Sequence, residues 1–449
     1  MATLILSAVG RTFGGPIGGA IGALAGQFVD QKIFGSGKRR EGPRLKELDV
    51  QTSSYGTSIP ATFGTMRVAG TVIWSTDLIE TRTKEGGGKG RPSTNVYSYS
   101  VNMAVALSSR PIERVGRIWA DGNLLRGAAG DLKVETEFRL YTGHDDQPLD
   151  PIVASAVGPS ECPAHRGLAY AVFENLQLAN YGNRIPQLTF EIIEREGVVP
   201  IGDIFTASSN GLISGVSAET VTGYALDGNS IRAALSPLLN HCPISVVPVG
   251  EAFSLSDWTE SRAAKLLRPV AAHDGGEIDP IEQRIQPASE IPGNLAIRHY
   301  EPSRDFQLGV QTSNRAGGGD ALLEVDLPAA LEARDAKRFA DLKLLALQKS
   351  RAVITGPTSI ESSLYGPGEF VQLPDQPDKF RITETEFFEG YQTLTAQRTA
   401  EAFDVPSPAA SPGASVYVFD EIPGTTNIEI LDLPAFTGLD SGTAIVAVA

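Results

Sequence analysis

The chain has 449 residues, 41% hydrophobic and 20% charged, enough for two to four domains with their own cores. Its 38 basic and 53 acidic residues give a net charge of −15, which excludes wrapping nucleic acid on a broadly basic surface. Two cysteines, Cys162 and Cys242, form no CxxC pair and exclude a disulfide framework or a cysteine zinc site, while 47 Gly and 29 Pro suit many turns between short strands.

In residues 1–40, GGPIGGAIGALAGQFVDQKIFG places Gly14, Gly18, Gly22 and Gly26 at every fourth position, so a helix here carries a smooth backbone ridge. A signal peptide is disfavoured because the first basic residue, Arg11, follows the apolar start. Residues 13–29 would span only about 25 Å as a helix, short for a bilayer core of about 30 Å. Interior glycines each cost about 0.8–1.0 kcal/mol relative to alanine, so the helix needs close packing, and otherwise the segment is a flexible leader. The expectation is a glycine-zipper helix that self-associates, with Leu24, Phe28 and Ile33 packing in or against the bundle. The basic run Lys38, Arg39, Arg40, Arg44 and Lys46 reads as a solvated linker.

Residues 41–200 read as a first β domain with hairpin insertions. Tyr97, Tyr99, Val101, Met103, Val105 and Leu107 alternate with smaller or polar residues, marking a strand with one buried face. The preceding KEGGGKGRPST is a long hairpin loop; it lacks the spacing and hydroxyl of a phosphate-binding loop. Asp121-Gly122 marks a hairpin, and Asp150-Pro151 opens a short helix. Further strands are expected at LAYAVFENL and QLTFEII, with a turn at NYGN between them. Residues 201–292 form a small α+β unit, with a helix from Ser230 to Leu239 and paired strands at ISVVPVG and AFSLSD. Residues 293–402 form a second β domain with a helix over 326–350, capped by Asp326 with Pro328 in its first turn. Residues 403–449 read as a linker and the start of a distal domain.

Catalytic and metal signatures are sparse. The histidines His144, His165, His241, His273 and His299 are scattered, with no HExxH, and no GxSxG elbow occurs. Cys162 and His165 read as a turn thiol beside an imidazole. Asp145, Asp146 and Asp150 lack the glycine and terminal glutamate of an EF-hand loop. No catalytic residue, cofactor site or metal site is assigned, and a structural role is expected.

The stretches SYGTSIPATFGTMRVAGTVIWSTDLIET, YSYSVNMAVALSSRPIERVGRIWADGNLL and HRGLAYAVFENLQLANYGNRIPQLTFEI resemble hub proteins at the distal tail tip of siphophages and alphaproteobacterial gene transfer agents. VTGYALDGNSIRAALSPLL, SRDFQLGVQTSNRA and GEFVQLPDQPDKFRITETEF extend the likeness over about residues 48–400. This megatron-like family is related to the lambda-like tip attachment protein. The resemblance implies a homotrimer whose tube-like β-barrel or sandwich domains, two per chain, match a hexameric tube. Implied partners are a distal tail protein, upstream hub or tube proteins, the tape-measure protein and a distal fibre or receptor-binding protein. DNA would be met only in transit, and the host membrane through residues 13–29. Larger relatives carry a barrel resembling a glycoside hydrolase; here Glu194-Arg195-Glu196 runs straight into VVPIGDIFTASSNGL. The alternatives in other classes are a wall-degrading tail enzyme and a membrane-anchored adhesin.

Overall fold

The computed structural model describes residues 58–85, 94–258, 264–267, 281–359, 364–388, 391–399 and 410–413, with short strands at 40–41, 272–273, 276–277, 429–432 and 445–448. The fold is α+β and mainly β. In chain order the longer elements are β1 (Ala61–Ala69), β2 (Thr71–Ser75), β3 (Ile79–Glu85), β4 (Thr94–Ser108), β5 (Arg114–Ala120), β6 (Asn123–Arg126), β7 (Glu137–Tyr141), α1 (Pro151–Val157), β8 (Ala169–Gln177) and β9 (Leu188–Ile193). There follow α2 (Ile201–Ser208), β10 (Gly223–Leu226), α3 (Ile231–His241), β11 (Ile244–Val249), β12 (Ala252–Asp257), β13 (Glu282–Ile285), β14 (Pro292–Glu301), β15 (Gln307–Asn314) and β16 (Gly319–Ala330). The last are α4 (Ala333–Ser350), β17 (Ala352–Ser359), β18 (Phe370–Gln372), β19 (Lys379–Phe388) and β20 (Tyr391–Arg398).

One eight-stranded sheet, ordered β15-β14-β16-β10-β1-β9-β5-β6, runs through the molecule. The junction is β10, antiparallel to β1 on one side and β16 on the other, so strands from distant parts of the chain share one ladder. A second sheet is built on β4, which pairs with β2, β3 and β8. The segment 265–266 and β13 join β17–β20 in a third sheet. β11 and β12 form a hairpin.

Three features differ from the sequence-based expectation. First, no closed barrel forms among the described residues: the end strands β6 and β15 of the long sheet do not pair with one another. The sheet has core on both faces rather than wrapping a single interior: Met66 and Val68 of β1 enter one apolar cluster, and Phe63 enters another. Second, the helix expected over 326–350 begins at Ala333, because β16 continues to Ala330. Pro328 falls where the β14–β16 register shifts, a place that tolerates its missing N–H. Asp326 faces Arg298 at 3.4 Å instead of capping a helix. Third, β4 has more than one buried face. From Ser100 to Ser108 both sides are covered, because Ala104 packs into a second cluster with Tyr141, Val153, Cys162, Tyr170 and Val172.

Other local signals hold. Asp121 and Gly122 make the β5–β6 turn, both at positive φ. Asp150 caps α1, its Oδ1 accepting from the N–H groups of Ile152 and Val153 at 2.9 and 3.1 Å, with Pro151 in the first turn. Ser230 caps α3 through the Ala233 N–H.

Candidate assembly interface

The six alternating residues Tyr97, Tyr99, Val101, Met103, Val105 and Leu107 are all buried in the largest apolar cluster, so they support the scaffold rather than contact a partner. Gly14, Gly18, Gly22, Gly26, Leu24 and Phe28 lie outside the described residues. Among the described residues, no helix is long and apolar enough to cross a membrane.

A charged knot ties the turn after β14 to the β1–β9–β5 ladder. Arg117 grips Glu191 with two parallel bonds, Nε to Oε2 at 3.0 Å and Nη2 to Oε1 at 2.9 Å, and also pairs with Asp305. Arg67 lies 3.8 Å over the Trp119 ring and donates to the Asp305 carbonyl at 3.2 Å. The hydrogen bond to Glu191 raises the affinity of Arg117 for its proton. Burial pushes the Glu191 carboxyl up, but the Arg117 bonds outweigh it and hold the carboxyl below its usual range. Asp305 and Phe306 occupy left-handed backbone, φ 55° and 60°, which turns Phe306 into the cluster around β4. Replacing Arg117 by Met should lower stability by about 2–3 kcal/mol, since it strands two carboxylates that are only partly solvated. Urea denaturation of the full chain measures this, and an unchanged midpoint would show that the knot is not stabilising.

The far end of the same sheet presents a different surface. On β15 the residues Gly309, Gln311 and Ser313 are buried, while Leu308 and Val310 are 54% and 51% exposed. The polar side of the strand is the covered one because α4 lies over it: Ser313 Oγ donates to Asp341 at 2.6 Å, and Lys337 donates to the Thr312 carbonyl at 2.7 Å. Leu308 is opposite Tyr300, Val310 is opposite Arg298, and Leu322 of β16 is beside Asn294. These residues share the face opposite Leu295 and Ile297, which are fully buried. Arg298 bridges to Glu324 at 2.5 Å on this face. An exposed apolar strip with a paired charged border has the make-up of a surface that contacts another protein. The alternation in FQLGVQTSN reveals the strand, but not that its polar side faces inward.

The acidic group at 145–150 is not wholly a solvated turn, because Asp150 is engaged inside the fold. Asp150 is buried and, besides capping α1, accepts from Arg139 Nε at 2.9 Å and the Tyr141 hydroxyl at 2.8 Å. Burial pushes its carboxyl up, yet these donors and the Val153 N–H hold it below the usual range. A depressed folded-state pKa contributes stability that is present above the unfolded value of about 4 and lost as pH falls through the folded value. Asp150→Asn should therefore flatten the loss of stability below about pH 4, read as melting temperature against pH. An identical acid profile would contradict this role.

Cys162 and Cys242 are both buried, and desolvation raises both thiol pKa values, which suppresses nucleophilic thiolate. His165 packs edge-on to Tyr170 at 5.3 Å. No group of three metal-ligating side chains occurs among the described residues.

The described fold combines long shared sheets, an ionic seam and an exposed apolar strip, and comparison with known proteins finds proteins of phage tails and of a gene transfer agent particle. The family model for putative phage tail proteins matches residues 230–385. The chain is similar to a solved chain from the virion of a native gene transfer agent particle, with 25% identity and a TM-score of 0.66, covering 90% of this chain and 99% of that one. At lower similarity stand a tail protein from Neisseria meningitidis MC58, with 8% identity, 75% and 97% coverage and a TM-score of 0.33, and the 43 kDa tail protein of prophage MuSo2 from Shewanella oneidensis, with 10% identity, 77% and 99% coverage and a TM-score of 0.30. No curated protein matches the chain.

Proposed function

We propose that this chain is a structural hub at the distal tip of a siphophage-like or gene-transfer-agent tail, closing the tube as a homotrimer and opening for DNA passage. The observation that carries this reading is the end-to-end likeness to a gene transfer agent virion chain, which covers nearly the whole of both molecules. The two β regions of each protomer, 41–200 and 293–402, supply two sectors of a six-sector ring. The strip at Leu308, Val310 and Leu322 meets a neighbouring subunit, and distal fibre or receptor-binding parts attach beyond the tip.

In this reading the three leaders meet on the tail axis. The ridge of Gly14, Gly18, Gly22 and Gly26 lets the helices approach closely, and their apolar sides exclude water. The plug retains DNA or the tape-measure protein, and on release residues 13–29 engage the host membrane with partners. Gly18 and Gly22 replaced together by Leu should give particles that assemble poorly or leak, measured as DNA delivery per particle. Delivery at the wild-type level would remove the plug.

Gold-labelled antibody against the chain tests the location, with label expected at the tail end farthest from the head. Label on the head or along the tube would overturn it. Sustained peptidoglycan or glycan release by purified chain would favour the wall-degrading alternative instead.

A further inference from the structure

The turn between β14 and β15 touches two distant parts of the chain through two adjacent residues. On one side Asp305 enters the charged knot, its carboxylate pairing with Arg117 and its carbonyl accepting from Arg67. On the other, Arg304 Nη1 donates to the Pro412 carbonyl at 3.0 Å. Gln311 of β15, itself buried, donates to the neighbouring Ser411 carbonyl at 3.0 Å. Residues 410–413 are exposed, and these bonds grip their backbone. The segment is shaped for the grip: the Gly413 N–H donates to Ser411 Oγ at 3.2 Å, and Gly413 has φ +82°, a conformation that favours glycine. The turn is braced as well. Glu301 Oε1 accepts from the N–H and the hydroxyl of Ser303 at 3.3 and 2.7 Å. The Phe306 N–H donates to the Glu301 carbonyl at 3.0 Å, and its ring is buried in the cluster around β4. A turn braced in this way moves as a unit, so a displacement at Arg304 reaches Asp305 across one peptide bond.

We propose that this turn is a coupling element: residues 410–413 form a latch on the β14–β15 end, and the latch and the charged knot stabilise one another through Arg304 and Asp305. Two hydrogen bonds to an exposed segment make a modest hold, so the latch opens locally while the rest of the fold stays intact. The coupling is reciprocal. Tension on the chain after Gly413 loosens the contact of Asp305 with the β1–β9–β5 ladder, and loss of that contact loosens the latch. The inference stands apart from the tail-tip reading, because it concerns how the C-terminal part of the chain is held and not location or copy number.

The test is trypsin cleavage of the native full chain carrying Ala410→Lys, a change at an exposed position that puts a scissile bond inside the latch. Mass spectrometry follows the fragment that begins at Ser411. Cleavage there requires the segment to leave the sheet, and its rate follows the open population when reclosing is fast. Arg304→Gln should speed the cut by about tenfold. Gly413→Val should do the same from the other side, because it strains left-handed backbone and leaves the sheet untouched. Asp305→Asn keeps a residue that tolerates left-handed backbone and removes the charge that Arg117 holds; it should speed the cut by about threefold. With Arg304→Gln already present, the same change should add less than about 1.5-fold, the mark of two residues acting through one turn. Arg67→Met, which removes the donor to the Asp305 carbonyl, is the second lesion of the knot if Asp305→Asn lowers the melting temperature. An unchanged rate in both Arg304→Gln and Gly413→Val would overturn the latch. An unchanged rate on breaking the knot, or an undiminished effect in the presence of Arg304→Gln, would overturn the coupling.

Discussion

Replacing Val101 by Asp is expected to abolish folded, soluble chain. Val101 is fully buried at the centre of β4 and pairs in register with Leu176 of β8. It belongs to the cluster that includes Met103, Phe173 and Phe190. Both faces of the strand are covered here, so the new carboxylate cannot reach water without separating two layers. The penalty for a buried, unpaired charge is about 4 kcal/mol or more even after the group takes up a proton, a large part of a domain's total stability. Val101→Ala, which removes methyl groups and adds no polar atom, should cost about 2 kcal/mol and remain soluble. Soluble yield and thermal melting of the two variants measure the difference. Normal particles containing the Asp variant would refute the burial of this strand.

Replacing Gly223 by Val should break the molecule at a different place, the junction of β10 with β1. Gly223 is directly opposite Gly64, which has φ +64°. A Cβ at Gly223 would approach the Thr65 carbonyl oxygen to less than 3.0 Å, and one at Gly64 would meet the Thr222 carbonyl similarly. Both obstructions are backbone atoms, which no rotamer change can move, and Thr65 N–H already donates to the Thr222 carbonyl at 2.9 Å. The expected loss is about 3 kcal/mol or more. It should appear as early exchange of the amides in β10 and β16, while the β4 sheet stays protected. Uniform loss of protection would mean that the two regions unfold as one unit, and no loss would show that the glycine pair is dispensable.

These two sites differ in how far they can be read from sequence. The strand through Val101 is legible because alternation survives over eleven residues and bulky side chains mark the inner face. Its second covered face was not legible: Asn102, Ala104 and Ala106 are small or polar, and only the layer formed by Tyr141, Tyr170 and α1 buries Ala104. Gly64 and Gly223 interrupt strands, which signals close backbone approach, but nothing local says that they approach each other across 159 positions. The helix start is not legible in the sequence because Asp326 and Pro328 carry a strong capping pattern, which long-range pairing of β16 with β14 overrides. The open strip at Leu308 and Val310 was concealed for the same reason. Which side of an alternating strand faces inward depends on what covers it, and here α4 covers the polar side.

The central claim is a trimeric hub at the tail tip, and the most direct test is the copy number of this chain around the tail axis in an averaged particle image. Three copies, each contributing two β sectors to the ring, is the predicted result. Six copies, or a single copy off the axis, would contradict it.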